Sequence, residues 1–178
     1  MGTRTKLALR LGLVAIGAGI VLSLACGGDD DGGSAKTYGV KAQDYGFAGL
    51  PKTIAPGSKL EMTNSSNKEL HEMVVIRLPD DEKRPVGDLI KLSDEELGVI
   101  AETEPAMVLI AAPGEDAMPV LGDGTLTEKG RYAVLCFIPT GADPEAYLNA
   151  AENGDGPPEV EGGEPHAFKG MYGEVTVK

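Results

Sequence analysis

Between residues 37 and 178 the sequence is cut every few residues, with short apolar segments alternating with turns marked by Gly and Pro. Punctuation this frequent leaves little room for long amphipathic helices and favours strands of roughly four to eight residues. Strands are expected at residues 38–47 and 52–54, with Pro56-Gly57 turning the chain between Ile54 and Leu60. Residues 59–63 alternate polar and apolar, the pattern of a half-buried strand. After the polar turn 64–68 comes a strand over 71–78 carrying Met73-Val74-Val75-Ile76, ended by Pro79 and Asp80. Two more are expected at 130–137 and 171–177. Many short strands with no helix–strand alternation predict a mainly β protein, an antiparallel Greek-key β-sandwich. The 142 residues from Thr37 suffice for one core of ordinary size.

Two stretches interrupt the pattern, at about 80–118 and 140–165. In the first, Ser93 and Glu96 have capping-box spacing for a short helix. In the second, Asp143-Pro144-Glu145 suits an N-cap, a first helical residue and an acidic first turn, and Gly154 is placed to end that helix. No internal repeat is present, and no glycine loop has the strand-then-helix setting of a phosphate cradle.

The first 25 residues read as an address. Arg4, Lys6 and Arg10 precede fifteen uncharged residues, Leu11 to Ala25. That run is short for a membrane span and right for a signal-peptide core. It ends in Leu22-Ser23-Leu24-Ala25-Cys26, which resembles the lipobox of bacterial lipoproteins. The resemblance implies cleavage before Cys26, a diacylglyceryl group on its sulfur, and a location on the outer face of the cell membrane. Two acyl chains anchor stably, at about 0.8 kcal/mol per buried CH₂. Residues 26–36 then form a Gly-rich flexible tether, and 37–178 the folded domain.

Charge excludes one class of function. The chain carries 16 basic and 28 acidic side chains, a net −12. Losing residues 1–25 removes three basic groups and no acidic one, leaving −15. Nucleic-acid affinity comes from clustered Lys and Arg, so no nucleic-acid partner is expected. An acidic surface instead suits steering toward a cationic protein.

The chain has only two Cys and two His, too few for a multicopper or multizinc centre. With Cys26 assigned to lipid, Cys136 has no partner thiol, and an unpaired thiol in an exported domain is oxidised unless it is buried or metal-bound. Cys136 ends a strand, His71 opens one, His166 follows Pro165, and Met171 lies five residues on. The stretches from Asn64 through His71-Glu72-Met73-Val74-Val75, then Gly130-Arg131-Tyr132-Ala133-Val134-Leu135-Cys136, then His166-Ala167-Phe168-Lys169-Gly170-Met171 resemble the cupredoxins, the plastocyanin-like blue-copper electron carriers. The resemblance implies one type 1 copper ion held by Cys136, His71 and His166, with Met171 as a weak axial thioether that tunes the potential. It implies an electron carrier rather than a catalyst, exchanging electrons with a redox partner protein. Glu72, Phe137 and Phe168 are expected around the site.

The sequence departs from the family in one respect. Cys136 and His166 are 30 residues apart, separated by an acidic stretch with seven carboxylates between Thr140 and Pro165 and no Lys or Arg. The stubs Cys136-Phe137-Ile138-Pro139 and Pro165-His166 read as the ends of a short ligand loop with an excursion between them, which loop entropy penalises only slowly. The same separation leaves open a metal-free binding module of this fold, and the same ligands would serve a copper chaperone or scavenger. A Cys–His nucleophile built on Cys136 and His166 lacks an orienting third group.

Overall fold

The computed structural model describes residues 33–92, 103–153 and 158–178. The signal segment, Cys26, the helix expected at Ser93–Glu96 and the stop at Gly154 lie outside the described residues. No described helix is long and apolar enough to cross a membrane.

Among the described residues, ten strands form two sheets. In chain order they are β1 (Thr37–Gln43), β2 (Gly46–Ala48), β3 (Thr53–Ile54), β4 (Ser58–Asn64), β5 (His71–Arg77), β6 (Met107–Ala111), β7 (Met118–Leu121), β8 (Thr125–Leu126), β9 (Gly130–Leu135) and β10 (Tyr172–Val177). The smaller sheet has the order β2-β1-β4-β8 and the larger β3-β10-β9-β5-β6-β7. β5, β6 and β7 run as a meander, and β9 returns to lie beside β5, the Greek-key order.

The sandwich is mainly antiparallel as expected, with two parallel pairings, β1 with β4 and β3 with β10. Parallel neighbours require a crossover. Here the chain supplies it by leaving β1 and β2 for β3 in the other sheet before returning as β4. The strand expected over 38–47 is divided at residues 44–45, where a turn folds β2 back antiparallel onto β1. The stretch 80–118 is not an interruption of the sheet. It holds β6, whose Met-Val-Leu-Ile-Ala run sits between β5 and β7.

Alternation fails in β5 because both its faces are covered. Met73 and Val75 enter the core between the sheets with Leu60, Met62, Tyr132, Val134, Val175 and Val177. Val74 and Ile76 face outward and are covered, with Ala133 and Leu135, by Val86, Leu89 and Ile90 of the α1 (Val86–Leu89) segment. A strand buried on two faces reads as a continuous apolar run. Gly87 lets α1 approach β10 this closely, since a Cβ there would stand 2.8 Å from the Tyr172 hydroxyl oxygen. The next described helix, α2 (Pro144–Asn153), begins where the sequence places it, with Asp143 Oδ1 accepting from the Ala146 amide at 2.8 Å.

Candidate metal centre

His71 opens β5, and the turn in front of it is held by side chains. Asn64 is buried, its Nδ2 donating to the carbonyls of Glu69 (2.8 Å) and Ala111 (3.0 Å), while its Oδ1 accepts from the Ser66 amide (2.9 Å). Ser66 Oγ accepts from the amides of Lys68 and Glu69. These bonds replace ladder pairing that a turn cannot make. They fix Glu69 and His71, which faces Ala111 across β6.

Cys136 follows the last residue of β9. His166 begins a 3₁₀ turn (His166–Lys169) entered from the extended Pro165 and closed by Gly170 at φ 112°, a left-handed conformation that glycine adopts freely. The two segments are bonded directly to each other. The Ala167 amide donates to the Cys136 carbonyl (2.7 Å) and the His166 amide to that of Ile138 (3.0 Å). The Cys136 amide donates to the Met171 carbonyl (3.3 Å), and the Met171 amide to that of His166 (3.0 Å).

Just beyond, the chain is pinched. Pro139 and Pro165 form an antiparallel bridge, the Thr140 amide and hydroxyl both donate to the Glu164 carbonyl, and the Gly163 amide donates to the Thr140 carbonyl at 2.8 Å. The stubs therefore meet as a short ligand loop, and residues 141–163 leave and return through one neck. The excursion also packs on the body: Ala142 and Tyr147 are buried in the main core.

Three donor atoms converge. His71 Nδ1 lies 3.2 Å from His166 Nδ1, His166 Nδ1 lies 3.4 Å from Cys136 Sγ, and all three donors fall within 4.8 Å of one another. All three residues are fully buried. Burial pushes the His71 imidazole below its ordinary pKa, against the pull of Asp44. His166 is lowered by burial and then by the neighbouring His71. Burial, followed by the charge of Glu72, pushes the Cys136 thiol up. Without a cation the cluster holds neutral imidazoles and a neutral thiol.

The outer nitrogens show what this arrangement lacks. His71 Nε2 meets Asp44 Oδ1 at 3.0 Å, so its proton belongs there and its Nδ1 carries a lone pair. His166 Nε2 is buried without a hydrogen-bond partner, 3.4 Å from Glu69 Oε2. A proton on His166 Nδ1 would bridge the two rings and leave Nε2 bare before a carboxylate. Moving it to Nε2 would suit Glu69 and leave two lone pairs facing each other beside the sulfur. A cation among the three inner atoms removes this conflict and fills the third valence with a thiolate. Two imidazoles and one thiolate are a donor set that copper takes. The cluster fits a type 1 copper site.

Of the four ligands expected from sequence, the structure brings three side chains together. It also places Met171 fully buried, bonded through its backbone to both Cys136 and His166. Around the cluster, Phe137 and Phe168 are 41% and 43% exposed beside buried donors. Glu72 has a clear role: its amide donates to Cys136 Sγ at 3.5 Å, its Oε1 accepts from the Phe137 amide (2.9 Å) and its Oε2 from the Tyr147 hydroxyl (3.1 Å). Asp44, Tyr45, Glu69 and Tyr147 are not among the site residues expected from sequence. Glu69 carried a faint signal, an acid two residues before a candidate ligand. The other three come from turns and a helix whose approach depends on the fold.

The sequence matches no protein-family model and no curated protein. Among solved structures, it is similar to the dithionite-reduced auracyanin of the photosynthetic bacterium Roseiflexus castenholzii, at 17% identity over 83% of this chain and 99% of that one, with a TM-score of 0.46. Auracyanin A, a blue copper protein of the green thermophilic bacterium Chloroflexus aurantiacus, is 13% identical over 80% and 98%, with a TM-score of 0.41. Auracyanin B is 16% identical over 81% and 89%, also at 0.41.

Glu72 also sets a pH dependence. Burial holds its carboxyl above the ordinary glutamate value, and its two hydrogen bonds offset this only in part. The folded state therefore holds this proton more tightly than the unfolded chain. Its contribution to stability is full below the ordinary glutamate value, about 4.3, and is lost as pH rises through the raised one. In metal-free protein Glu72→Gln is expected to flatten that decline, read as urea midpoints against pH. Parallel curves for the two proteins would rule Glu72 out as its source.

Proposed function

We propose that this chain is an exported, mononuclear copper protein that carries single electrons between redox partner proteins, tethered to the outer face of the cell membrane by a lipid on Cys26. The observation that carries the reading is the convergence of two imidazole Nδ1 atoms and one sulfur in a buried cluster whose outer nitrogens are already turned toward carboxylates. Export and anchoring rest on the signal-peptide pattern of residues 1–26.

Bound copper supplies one-electron chemistry by cycling between Cu(I) and Cu(II). The protein's part is to hold the donors still. His71 is fixed in a central strand, while Cys136 and His166 are tied by backbone bonds across the ligand loop, so the same frame serves both oxidation states. Complete burial excludes water and competing ligands. Exposed Phe137 and Phe168 give a partner an apolar footing one and two residues from Cys136 and His166. The acidic surface steers a cationic partner, an effect that weakens as salt screens it.

Adding Cu(II) to the purified domain is expected to give one copper per chain and an intense visible thiolate band. No stoichiometric copper would favour a metal-free binding module, and copper without reversible voltammetry a chaperone or scavenger. Met171→Leu is expected to leave copper bound and to raise the potential, because Cu(II) loses a weak donor. Complete loss of metal would contradict an axial role for Met171.

A further inference from the structure

The outer edges of the two histidines are met by carboxylates from two separate loops. Asp44 lies in the turn between β1 and β2, and its Oδ1 is 3.0 Å from His71 Nε2. Glu69 lies in the turn before β5, with Oε2 3.4 Å from His166 Nε2. Glu69 is held in place by more than the histidine. Its Oε2 accepts from the Gly141 amide at 3.0 Å, just past the neck of the excursion, and its own amide and carbonyl are bonded to Ser66 and Asn64. The Asp44 turn reaches both rings, since the neighbouring Tyr45 packs its ring 4.9 Å from His166.

We infer that Asp44 and Glu69 are positioning residues for the two imidazoles, each holding one ring by Nε2 so that Nδ1 faces the metal, and together biasing the site toward Cu(II). The inference rests on the copper reading above. A carboxylate at the outer nitrogen fixes tautomer and ring orientation and makes the inner nitrogen more basic. A neutral acceptor would do the first without adding charge. Two negative groups this close also favour the more positive metal state. The oxidised and reduced sites differ by one positive charge, so the bias appears directly in the potential.

The test uses the full mature chain with Asp44→Asn and Glu69→Gln, singly and together, which keep size and hydrogen-bonding capacity and remove charge. Cu(II) affinity is expected to fall about tenfold or more while Cu(I) affinity changes less, so the potential rises. In Zn(II)-loaded protein, nitrogen NMR should show a protected Nε2–H on both rings. Asp44→Ala should expose that of His71 to exchange, and Asp44→Glu should restore its protection. A double variant with unchanged potential in protein that binds copper overturns the positioning roles and leaves the copper reading intact. Wild-type protein that shows both protected protons with Zn(II) but takes up no copper overturns the copper reading while supporting the tautomer assignment. An Nδ1–H on either ring in the Zn(II) form overturns the inference outright.

Discussion

Replacing Cys136 with serine is expected to abolish the visible band of the copper-loaded protein and to weaken copper binding by more than about a hundredfold, since residues that merely support metal ligands are worth tenfold to a hundredfold. The same variant should also change the proton balance. Burial and the charge of Glu72 keep the Cys136 thiol protonated, and burial keeps both imidazoles neutral. Copper uptake by the wild type should therefore release about one proton, and its affinity should rise about tenfold per pH unit around neutrality. Cys136→Ser should lose most of that release. Calorimetry in buffers of differing ionisation enthalpy reads both quantities. A serine variant that kept the band unchanged would end the assignment.

The second large effect is expected at Tyr147, eleven residues along the chain from Cys136, the nearest of the ligands expected from sequence. It reaches back from α2 into the main core and donates its hydroxyl proton to Glu72 Oε2. Tyr147→Ala removes a buried ring and leaves part of a buried carboxyl unpaired, a loss of about 3–5 kcal/mol. Tyr147→Phe keeps the ring and loses only the hydrogen bond, about 1–3 kcal/mol. Both should retain the copper band, because Cys136 and His166 are joined through the neck at Pro139 and Pro165 and not through α2. Denaturant unfolding of the metal-free proteins gives the ranking, and an alanine variant within 1 kcal/mol of wild type would show that the excursion is only loosely seated.

The donors were readable because their chemistry is scarce. With two His and two Cys in the chain, a site needing soft ligands had few candidates, and each stands at the end of a strand or turn that its neighbours mark. Most strands were readable from alternation and turn residues. β5 was found despite losing alternation, because Pro79 and Asp80 bounded its apolar run. The missed features depend on distant partners. β6 lies inside a stretch that reads in sequence as an insertion, and its place between β5 and β7 follows from pairing, which local pattern does not encode. The parallel pairing of β1 with β4 needs a crossover through the other sheet. Asp44 and Glu69 are ordinary surface acids in sequence and become supports for imidazoles only when two turns converge on one end of the sandwich.

The neck at Pro139 and Pro165 has a consequence for how such a chain can change over time. Because the donors are already joined on the near side, length and charge on the far side can vary without moving them, apart from the seat that Tyr147 takes on Glu72 and the Gly141 amide that holds Glu69. The part of the excursion beyond Tyr147 and short of Gly163 is thus a replaceable cassette on a fixed socket. Grafting a different excursion there would alter what surface the protein presents while leaving the cluster of His71, Cys136 and His166 as inherited.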